Sequence, residues 1–175
     1  MGAAKYIKES FRKTMKARSE DYRKRMTEWA KEGVVCRLSD PTNPVRAREV
    51  GYKAKKGYCI ARVKVMRGKR RRRSADLGRK PGRNRKTENP GENLQLIAEQ
   101  KAERKFKNLI VLNSYMVGST GANKFFEVIL VDPQRPEIKN DSRINWICSG
   151  KHERRAQRAL TSAGNKSRGL VKKAK

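Results

Sequence analysis

The sequence predicts an α+β protein with one modest hydrophobic core and long basic additions to it. Four short stretches have the composition or alternation of β-strands, and helical periodicity fills several segments around them. Hydrophobic residues are 35% of the 175 residues and charged residues 36%, whereas globular domains average roughly 45–50% and about 25%. Lys and Arg number 46 against 17 Asp and Glu, which gives a formal net charge of +29. This charge indicates a polyanionic partner, and nucleic acid is the leading candidate.

The excess charge is concentrated outside the most periodic part of the chain. Residues 66–86 carry a net charge of +10 and residues 149–175 carry +8, whereas residues 87–148 carry none. We expect a single domain, because the apolar residues suffice for only one core. Its expected parts are N-terminal helices at 1–32, a globular core at 33–66 and 93–148, a basic extended loop at 67–92 and a basic C-terminal tail at 149–175.

The N-terminal part of the chain has helical signals. Residues 4–32 are predicted to form two helices, of which the second begins after Ser19 as its N-cap and ends before Gly33. One further helical turn is expected at 45–50. The residues of the second helix that recur at helical spacing should face the core; they are Tyr22, Met26, Trp29 and Ala30.

Strand signals and one longer helix complete the predicted core. Residues 58–66 place Arg62 and Lys64 on one side and apolar residues on the other, which predicts a strand with one wet, cationic side. Residues 118–124 separate the last two strand candidates and are expected to form a hairpin turn. Helical periodicity marks residues 93–107. The four strand candidates are 34–38, 58–66, 109–117 and 125–132.

The strongest local feature is a basic run that contains eleven Lys or Arg and one acid, Asp76, between residues 66 and 86. Gly and Pro interrupt the run, so we expect an extended loop held at both ends by folded segments. Arg dominates it, and a guanidinium engages phosphate oxygens through two parallel hydrogen bonds. Phosphate binding is therefore favoured, with a nuclear-localisation signal as the main alternative. The candidate residues are Arg67, Lys69, Arg70, Arg71, Arg72, Arg73, Arg79, Lys80, Arg83, Arg85 and Lys86.

Two other stretches have the composition of RNA-binding segments. Residues 51–58 (GYKAKKGY) place three lysines and two tyrosines between glycines, which suits phosphates and unpaired bases; a basic turn whose tyrosines pack on the sheet is the alternative. Residues 160–170 combine hydroxyls with cations, which positions a chain on the sugar–phosphate backbone, and a short basic helix is expected before them at 151–160. Candidates here and on the wet strand side are Tyr52, Lys53, Lys55, Lys56, Arg62, Lys64, Lys151, Arg154, Arg155, Arg158, Lys166 and Arg168.

Signals of catalysis and metal binding are weak. Residues 118–124 lack the spacing of a phosphate-binding P-loop, and the only histidine, His152, lies among cations that disfavour its charged form. Carboxylates in the predicted helices, such as Glu99 and Glu103, are expected to form surface ion pairs. The sequence therefore predicts neither an enzyme nor a metal or cofactor site.

The expected compartment is the cytosol. No apolar run approaches the roughly 20 residues of a membrane-spanning helix, and no signal-peptide pattern opens the sequence. Three cysteines, Cys36, Cys59 and Cys148, are odd in number and lack metal-ligand spacing. They fit a reducing compartment and are expected to be small buried hydrophobes.

Four segments taken together resemble one protein family. They are residues 51–58 (GYKAKKGY), 112–118 (LNSYMVG), 125–133 (FFEVILVDP) and 160–170 (LTSAGNKSRGL). Their order is similar to that in the fifteenth large-subunit ribosomal protein of the archaeal and eukaryotic type, which is unrelated to the bacterial protein of the same number. The resemblance covers essentially the whole chain, and its compact central loop looks more archaeal than eukaryotic.

This resemblance implies a structural constituent of the large ribosomal subunit without catalytic activity or cofactor. The implied fold is a small antiparallel sheet of about four strands with helices packed on it. The implied partners are large-subunit ribosomal RNA and neighbouring ribosomal proteins, with no membrane, small-molecule substrate or homo-oligomer. The alternative function is a free RNA-binding regulator or a chromatin-like basic protein. The segments expected to touch RNA are the basic run together with Lys53, Lys55, Lys56, Lys166 and Arg168.

Overall fold

The computed structural model describes residues 2–73, 78 and 86–170. Its α-helices are α1 (Ala3–Ala17), α2 (Glu20–Lys31), α3 (Pro44–Glu49), α4 (Leu94–Lys105), α5 (Pro136–Lys139) and α6 (Ser162–Ser167). Its strands are β1 (Val35–Leu38), β2 (Tyr58–Met66), β3 (Arg70–Arg71), β4 (Thr87–Glu88), β5 (Ile110–Ser119) and β6 (Asn123–Val131). Two 3₁₀ turns follow α5, at Asn145–Cys148 and Gly150–His152.

A four-stranded antiparallel sheet forms the body of the protein, in the order β1-β2-β6-β5. Strands β2 and β6 pair along their full lengths, with Ala61 opposite Val128 near the middle. Strands β5 and β6 form the predicted hairpin, in which the Thr120 hydroxyl accepts a 2.9 Å hydrogen bond from the Asn123 backbone N–H. The predicted α+β class and its four strands are therefore confirmed.

Helix α2 covers one face of the sheet. It begins at the predicted N-cap Ser19, whose hydroxyl accepts from the Tyr22 backbone N–H at 3.5 Å. Tyr22, Met26 and Trp29 are buried, as their spacing predicts. The Trp29 ring meets Phe125 of β6 edge-on, with 5.6 Å between ring centroids. These apolar contacts fix the position of α2 on the sheet.

Helix α4 covers the opposite face. Its N-cap Asn93 accepts a 2.7 Å hydrogen bond from the Leu96 backbone N–H. Ala98 and Ala102 are fully buried in one apolar cluster with Val63 of β2 and residues of β5 and β6. The small alanine side chains let the helix approach the sheet closely. The predicted helix at 93–107 is confirmed, with slightly shorter bounds.

A buried carboxylate joins α4 to its surroundings. Glu99 is 0% exposed and accepts hydrogen bonds from the hydroxyls of Ser114 on β5 and Thr161 before α6. Burial raises the pKa of Glu99, and the two hydroxyl hydrogen bonds oppose that rise. The expectation of surface ion pairs is wrong for Glu99 and for Glu103, which is only 7% exposed. Helical spacing cannot reveal this burial, because a second layer of chain covers the polar side of α4.

Residue Glu127 of β6 has the same role on the other face. It is 0% exposed and accepts hydrogen bonds from the Tyr115 hydroxyl and from both the hydroxyl and the backbone N–H of Thr42. Burial raises the pKa of Glu127 as well. The loop before α3 is thereby tied to the centre of the sheet.

The second layer over α4 is the C-terminal segment, residues 149–170. Ala156 and Ala163 are at most 1% exposed. The Glu103 carboxylate accepts backbone N–H hydrogen bonds from Ala156 at 3.3 Å and Gln157 at 3.0 Å. Where the sequence predicts a basic helix at 151–160 and a tail after it, the structure has a 3₁₀ turn, a run of turns and α6. Small residues let this segment pack against α4. Its exposed positions are cationic, so the composition of the segment does not indicate that contact.

Candidate nucleic-acid interface

The basic arm, residues 67–86, leaves the body at the end of β2, and its described cations are all exposed. Strands β3 and β4 pair as a short antiparallel ribbon with Arg70 opposite Glu88. A 2.9 Å hydrogen bond from the Arg72 backbone N–H to the Lys86 carbonyl extends the ribbon. The sequence predicts an aperiodic loop here, because strands of two residues leave no alternation to detect.

Two arginines fix the base of the arm. The Arg67 guanidinium donates to the Thr120 carbonyl at 2.9 Å, and its backbone N–H donates to the Ala122 carbonyl at 2.7 Å, which ties the arm to the β5–β6 turn. The Arg72 Nε donates to the Glu88 carboxylate at 2.6 Å, with both side chains almost half exposed. Lys69, Arg70, Arg71 and Lys86 of the arm are exposed.

The lysines between α3 and β2 share one acid. Lys53 Nζ and Lys55 Nζ each lie 2.7 Å from the same Asp141 oxygen. Hydrogen bonds from the two ammonium groups lower the pKa of Asp141. Lys56 is exposed. Lys56 is therefore in solvent, whereas Lys53 and Lys55 are bound to the loop that follows α5.

The tyrosine of this loop packs inward. Tyr52 meets Tyr58 edge-on, with 6.0 Å between ring centroids, and both rings contact apolar clusters of the core. Burial raises the pKa of the Tyr52 hydroxyl. The alternative interpretation, a basic turn whose tyrosines pack on the sheet, describes Tyr52 in the structure.

The prediction that β2 has one wet, cationic side is wrong, because α2 covers that side of the strand. Arg62 is 9% exposed, forms a two-pronged ion pair with Glu32 at 2.7 Å, and lies 4.1 Å from the centroid of the Trp29 ring. Lys64 Nζ donates to the carbonyls of Ala30 at 2.6 Å and Glu32 at 2.8 Å. A cation at a helix C-terminus stabilises the last carbonyls. The donors of these two side chains are therefore used inside the fold.

The C-terminal segment presents a second set of cations. Arg155 is half-buried over the Trp146 ring, and burial lowers its pKa. The other candidates of this segment are exposed: Lys151, Arg154, Arg158, Lys166 and Arg168.

The structure thus divides the sequence-derived candidates into three groups. Tyr52, Lys53, Lys55, Arg62, Lys64 and Arg155 are partly or fully buried and contact other groups of the protein. Arg79, Lys80, Arg83 and Arg85 lie outside the described residues. The exposed group is Lys56, Arg67, Lys69, Arg70, Arg71, Arg72, Arg73, Lys86, Lys151, Arg154, Arg158, Lys166 and Arg168.

One aromatic residue escaped the sequence analysis. Ile147 is buried, whereas the adjacent Trp146 is 40% exposed. The signal available in the sequence is an aromatic residue between Arg143 and the cations at 151–158.

His152 and the three cysteines are the side chains that the sequence raises for catalysis or metal binding. Burial and the neighbouring Arg155 lower the pKa of His152, which favours a neutral ring at neutral pH. No group of three or more His, Cys, Asp or Glu within the described ranges is placed to hold a metal ion. Cys36, Cys59 and Cys148 are free thiols and only half-buried, which corrects the expectation of full burial.

Comparison with known families decides which family the chain represents. A family model described as Ribosomal L15 matches residues 2–175, essentially the whole chain. The chain belongs to this family. The resemblance found in the sequence is therefore confirmed.

A Ribosomal L15 protein of this type is a structural constituent of the large ribosomal subunit in the cytoplasm. It associates there with ribosomal RNA and with other ribosomal proteins. Across the described ranges, every helix is too short or too polar to cross a membrane.

Proposed function

We propose that this protein binds and bridges separate segments of large-subunit ribosomal RNA through its exposed Arg and Lys, without catalysing a reaction. The observation that carries the proposal is the placement of those cations. They lie on the basic arm, on the loop at Lys56 and on the C-terminal segment, whereas residues 87–148 carry no net charge. These three sets of cations therefore lie outside the part of the chain that forms α4, β5 and β6.

The distances between these cations suit bridging. Lys56 lies before the first residue of β2 and the basic arm begins after the last, and β2 has nine residues. An extended strand of that length is about 26 Å long at roughly 3.3 Å per residue. The C-terminal segment adds a third set of cations on the α4 side of the sheet. Cations at opposite ends of this rigid strand can therefore contact phosphates of two different RNA segments.

The proposed binding is electrostatic. Phosphates replace counterions at each Lys or Arg, and the released counterions favour association. Base-specific hydrogen bonds are not required, because folded RNA presents phosphates, 2′-hydroxyls and shape. The exposed arginines of the arm add two-pronged hydrogen bonds to phosphate oxygens.

Salt dependence tests this proposal. Affinity for a large-subunit RNA fragment should fall steeply between roughly 50 and 200 mM salt. Replacing Arg70, Arg71, Arg72 and Arg73 with Ala should reduce the slope of log affinity against log salt by about three, at roughly 0.7–0.9 per phosphate contact. The matched control replaces the same four residues with Lys, which keeps the charge and should keep the slope. An unchanged slope in the Ala variant contradicts the proposal.

A second measurement tests bridging itself. Two RNA fragments with different fluorescent labels should appear together in one complex with the protein on a native gel. Replacing Lys166 and Arg168 with Ala should weaken the doubly labelled complex more than either singly labelled complex. If only singly labelled complexes form, the protein binds RNA without bridging it.

A further inference from the structure

Residue Trp146 is a large aromatic side chain at an exposed position. It lies in the 3₁₀ turn Asn145–Cys148, where the next residue, Ile147, is fully buried with Ile144 and Ile138. Burial of Ile147 turns the preceding side chain outward, and 40% of Trp146 is exposed. A large aromatic ring held at the surface by a buried neighbour is available to a ligand.

Three contacts hold the indole ring in one orientation. Its Nε1 donates to the Arg143 carbonyl at 3.2 Å. The His152 ring stands edge-on to it, with 4.8 Å between ring centroids and an interplanar angle of 77°. The Arg155 guanidinium carbon lies 5.0 Å from the indole centroid. The ring is thus ordered before any ligand arrives, which reduces the entropy lost on binding.

The Arg155 side chain is committed to this arrangement. Its Nε and Nη1 are buried and have no hydrogen-bond partner in the described part of the protein. Leaving such donors unpaired is unfavourable, and the compensating contacts are the indole and the negative field of Glu99 and Glu103. The guanidinium therefore supports Trp146 from the protein side and does not project into solvent.

The surroundings of the ring are strongly cationic. Between residues 143 and 158 there are five Lys or Arg and one acid, Glu153. Lys151, Arg154 and Arg158 are exposed. An exposed aromatic ring among cations is the combination that binds single-stranded nucleic acid, because bases stack on the ring while phosphates meet the charges.

We propose that Trp146 is a stacking platform for one unpaired RNA base, with Lys151, Arg154 and Arg158 contacting the flanking phosphates. This inference rests on the proposed RNA binding and adds a nucleobase site to it. Stacking accepts any base, since every base has a π face. Its contribution to affinity is insensitive to salt, in contrast to that of the basic arm.

Substitution of Trp146 separates the two contributions. Trp146→Leu should lower affinity for an RNA fragment with unpaired bases by about five- to 150-fold, with an unchanged salt slope. Trp146→Phe is the matched control, since it keeps an aromatic face and should retain most of the affinity. A Leu variant that melts at the wild-type temperature and binds like the wild type overturns the inference.

Fluorescence provides a readout that a purely structural role would not change. Trp29 and Trp146 are the two tryptophans of the chain, so Trp29→Phe leaves Trp146 as the only indole. A short oligouridylate should quench its emission, and the Trp146→Phe variant, which retains buried Trp29, should show no quenching. If the Leu variant does not fold, ultraviolet crosslinking of the wild-type chain to a thiouridine-containing oligonucleotide should place the crosslink at Trp146.

Failure of this inference differs from failure of the proposed function. If the wild-type chain binds RNA with a steep salt dependence but Trp146 is neither quenched nor crosslinked, the indole serves another partner, such as a neighbouring protein, and the stacking site is wrong. If the chain shows no salt-dependent affinity for RNA, the proposed function itself is wrong.

Discussion

The two most basic segments of the chain have comparable charge and different structures. Residues 66–86 carry +10 and residues 149–175 carry +8. The described cations of the basic arm are exposed on a narrow ribbon, whereas the C-terminal segment buries Ala156 and Ala163 against α4. Charge density therefore indicates the partner but does not decide which segment packs. Small side chains at the contact decide it.

The largest loss of stability is expected from a substitution at Gly164, in the packed C-terminal segment. A Cβ on Gly164 would lie 2.3 Å from the Ala159 carbonyl oxygen, and backbone cannot move aside as a flexible side chain can. Gly164→Ala should lower the free energy of unfolding by about 3 kcal/mol, measured by chemical denaturation. Gly150→Ala is the control, because nothing lies within 4 Å of a Cβ there. A Gly164 variant as stable as this control would mean that the C-terminal segment is as loosely held as an exposed ribbon.

A smaller effect is expected at Thr161, which is 0% exposed. Its hydroxyl donates to Glu99 and accepts from the Gly164 backbone N–H at 3.1 Å. Thr161→Val keeps the shape and removes both hydrogen bonds, which should cost about 2 kcal/mol of stability. The exposed neighbour Ser162 supplies the control, since Ser162→Ala should change the melting temperature little. Equal shifts in the two variants would contradict a specific hydroxyl contact.

The pH dependence of stability tests the same contact with a smaller expected effect. Burial raises the pKa of Glu99 above its ordinary value of 4.5, so the folded state binds this proton more tightly than the unfolded state. Its contribution is complete below about pH 4.5 and is lost as the pH rises through the raised pKa. Urea denaturation of the wild type relative to Glu99→Gln should therefore show a stability difference that declines as the pH rises above about 4.5. A difference that grows over this range would reverse the assigned direction.

The smallest effect is expected at the exposed ion pair of the basic arm. Arg72 and Glu88 are 47% and 43% exposed, and exposed pairs contribute roughly 0–1 kcal/mol. Glu88→Gln should leave the melting temperature nearly unchanged and raise RNA affinity by less than about tenfold, because Arg72 no longer has an acidic partner. The exposed Glu20→Gln, on α2, controls for the change in net charge. A large loss of stability in Glu88→Gln would show that the arm is built into the core.

Local periodicity predicts the sheet and the helices that touch it well. The strand predicted at 58–66 is β2 with the same bounds, and Ser19 is the N-cap of α2. Tyr22, Met26 and Trp29 face the core. In each case one face of one element meets the sheet, which is the situation that periodicity records.

The predictions that differ from the structure concern a second contact on an element. Arg62 and Lys64 alternate with apolar residues, but α2 covers their side of β2 and uses both cations. Glu99 lies on the polar side of α4, where residues far along the chain cover it. Such contacts depend on tertiary structure, so the order of residues within one element does not contain them. For the same reason, the sequence does not indicate that Trp146 is exposed while its neighbour Ile147 is buried.

The hydrogen bond between Glu99 and Thr161 has a consequence for how the protein is made. The two residues are 62 positions apart, and Thr161 follows every strand of the sheet. While translation proceeds in the N- to C-terminal direction, the sheet and α4 emerge with one acceptor of Glu99 still unpaired. The core is completed only when residues beyond α4 and the sheet have left the ribosome. A component of the translation machinery thus depends on synthesis of its own chain through Thr161 before its interior is satisfied.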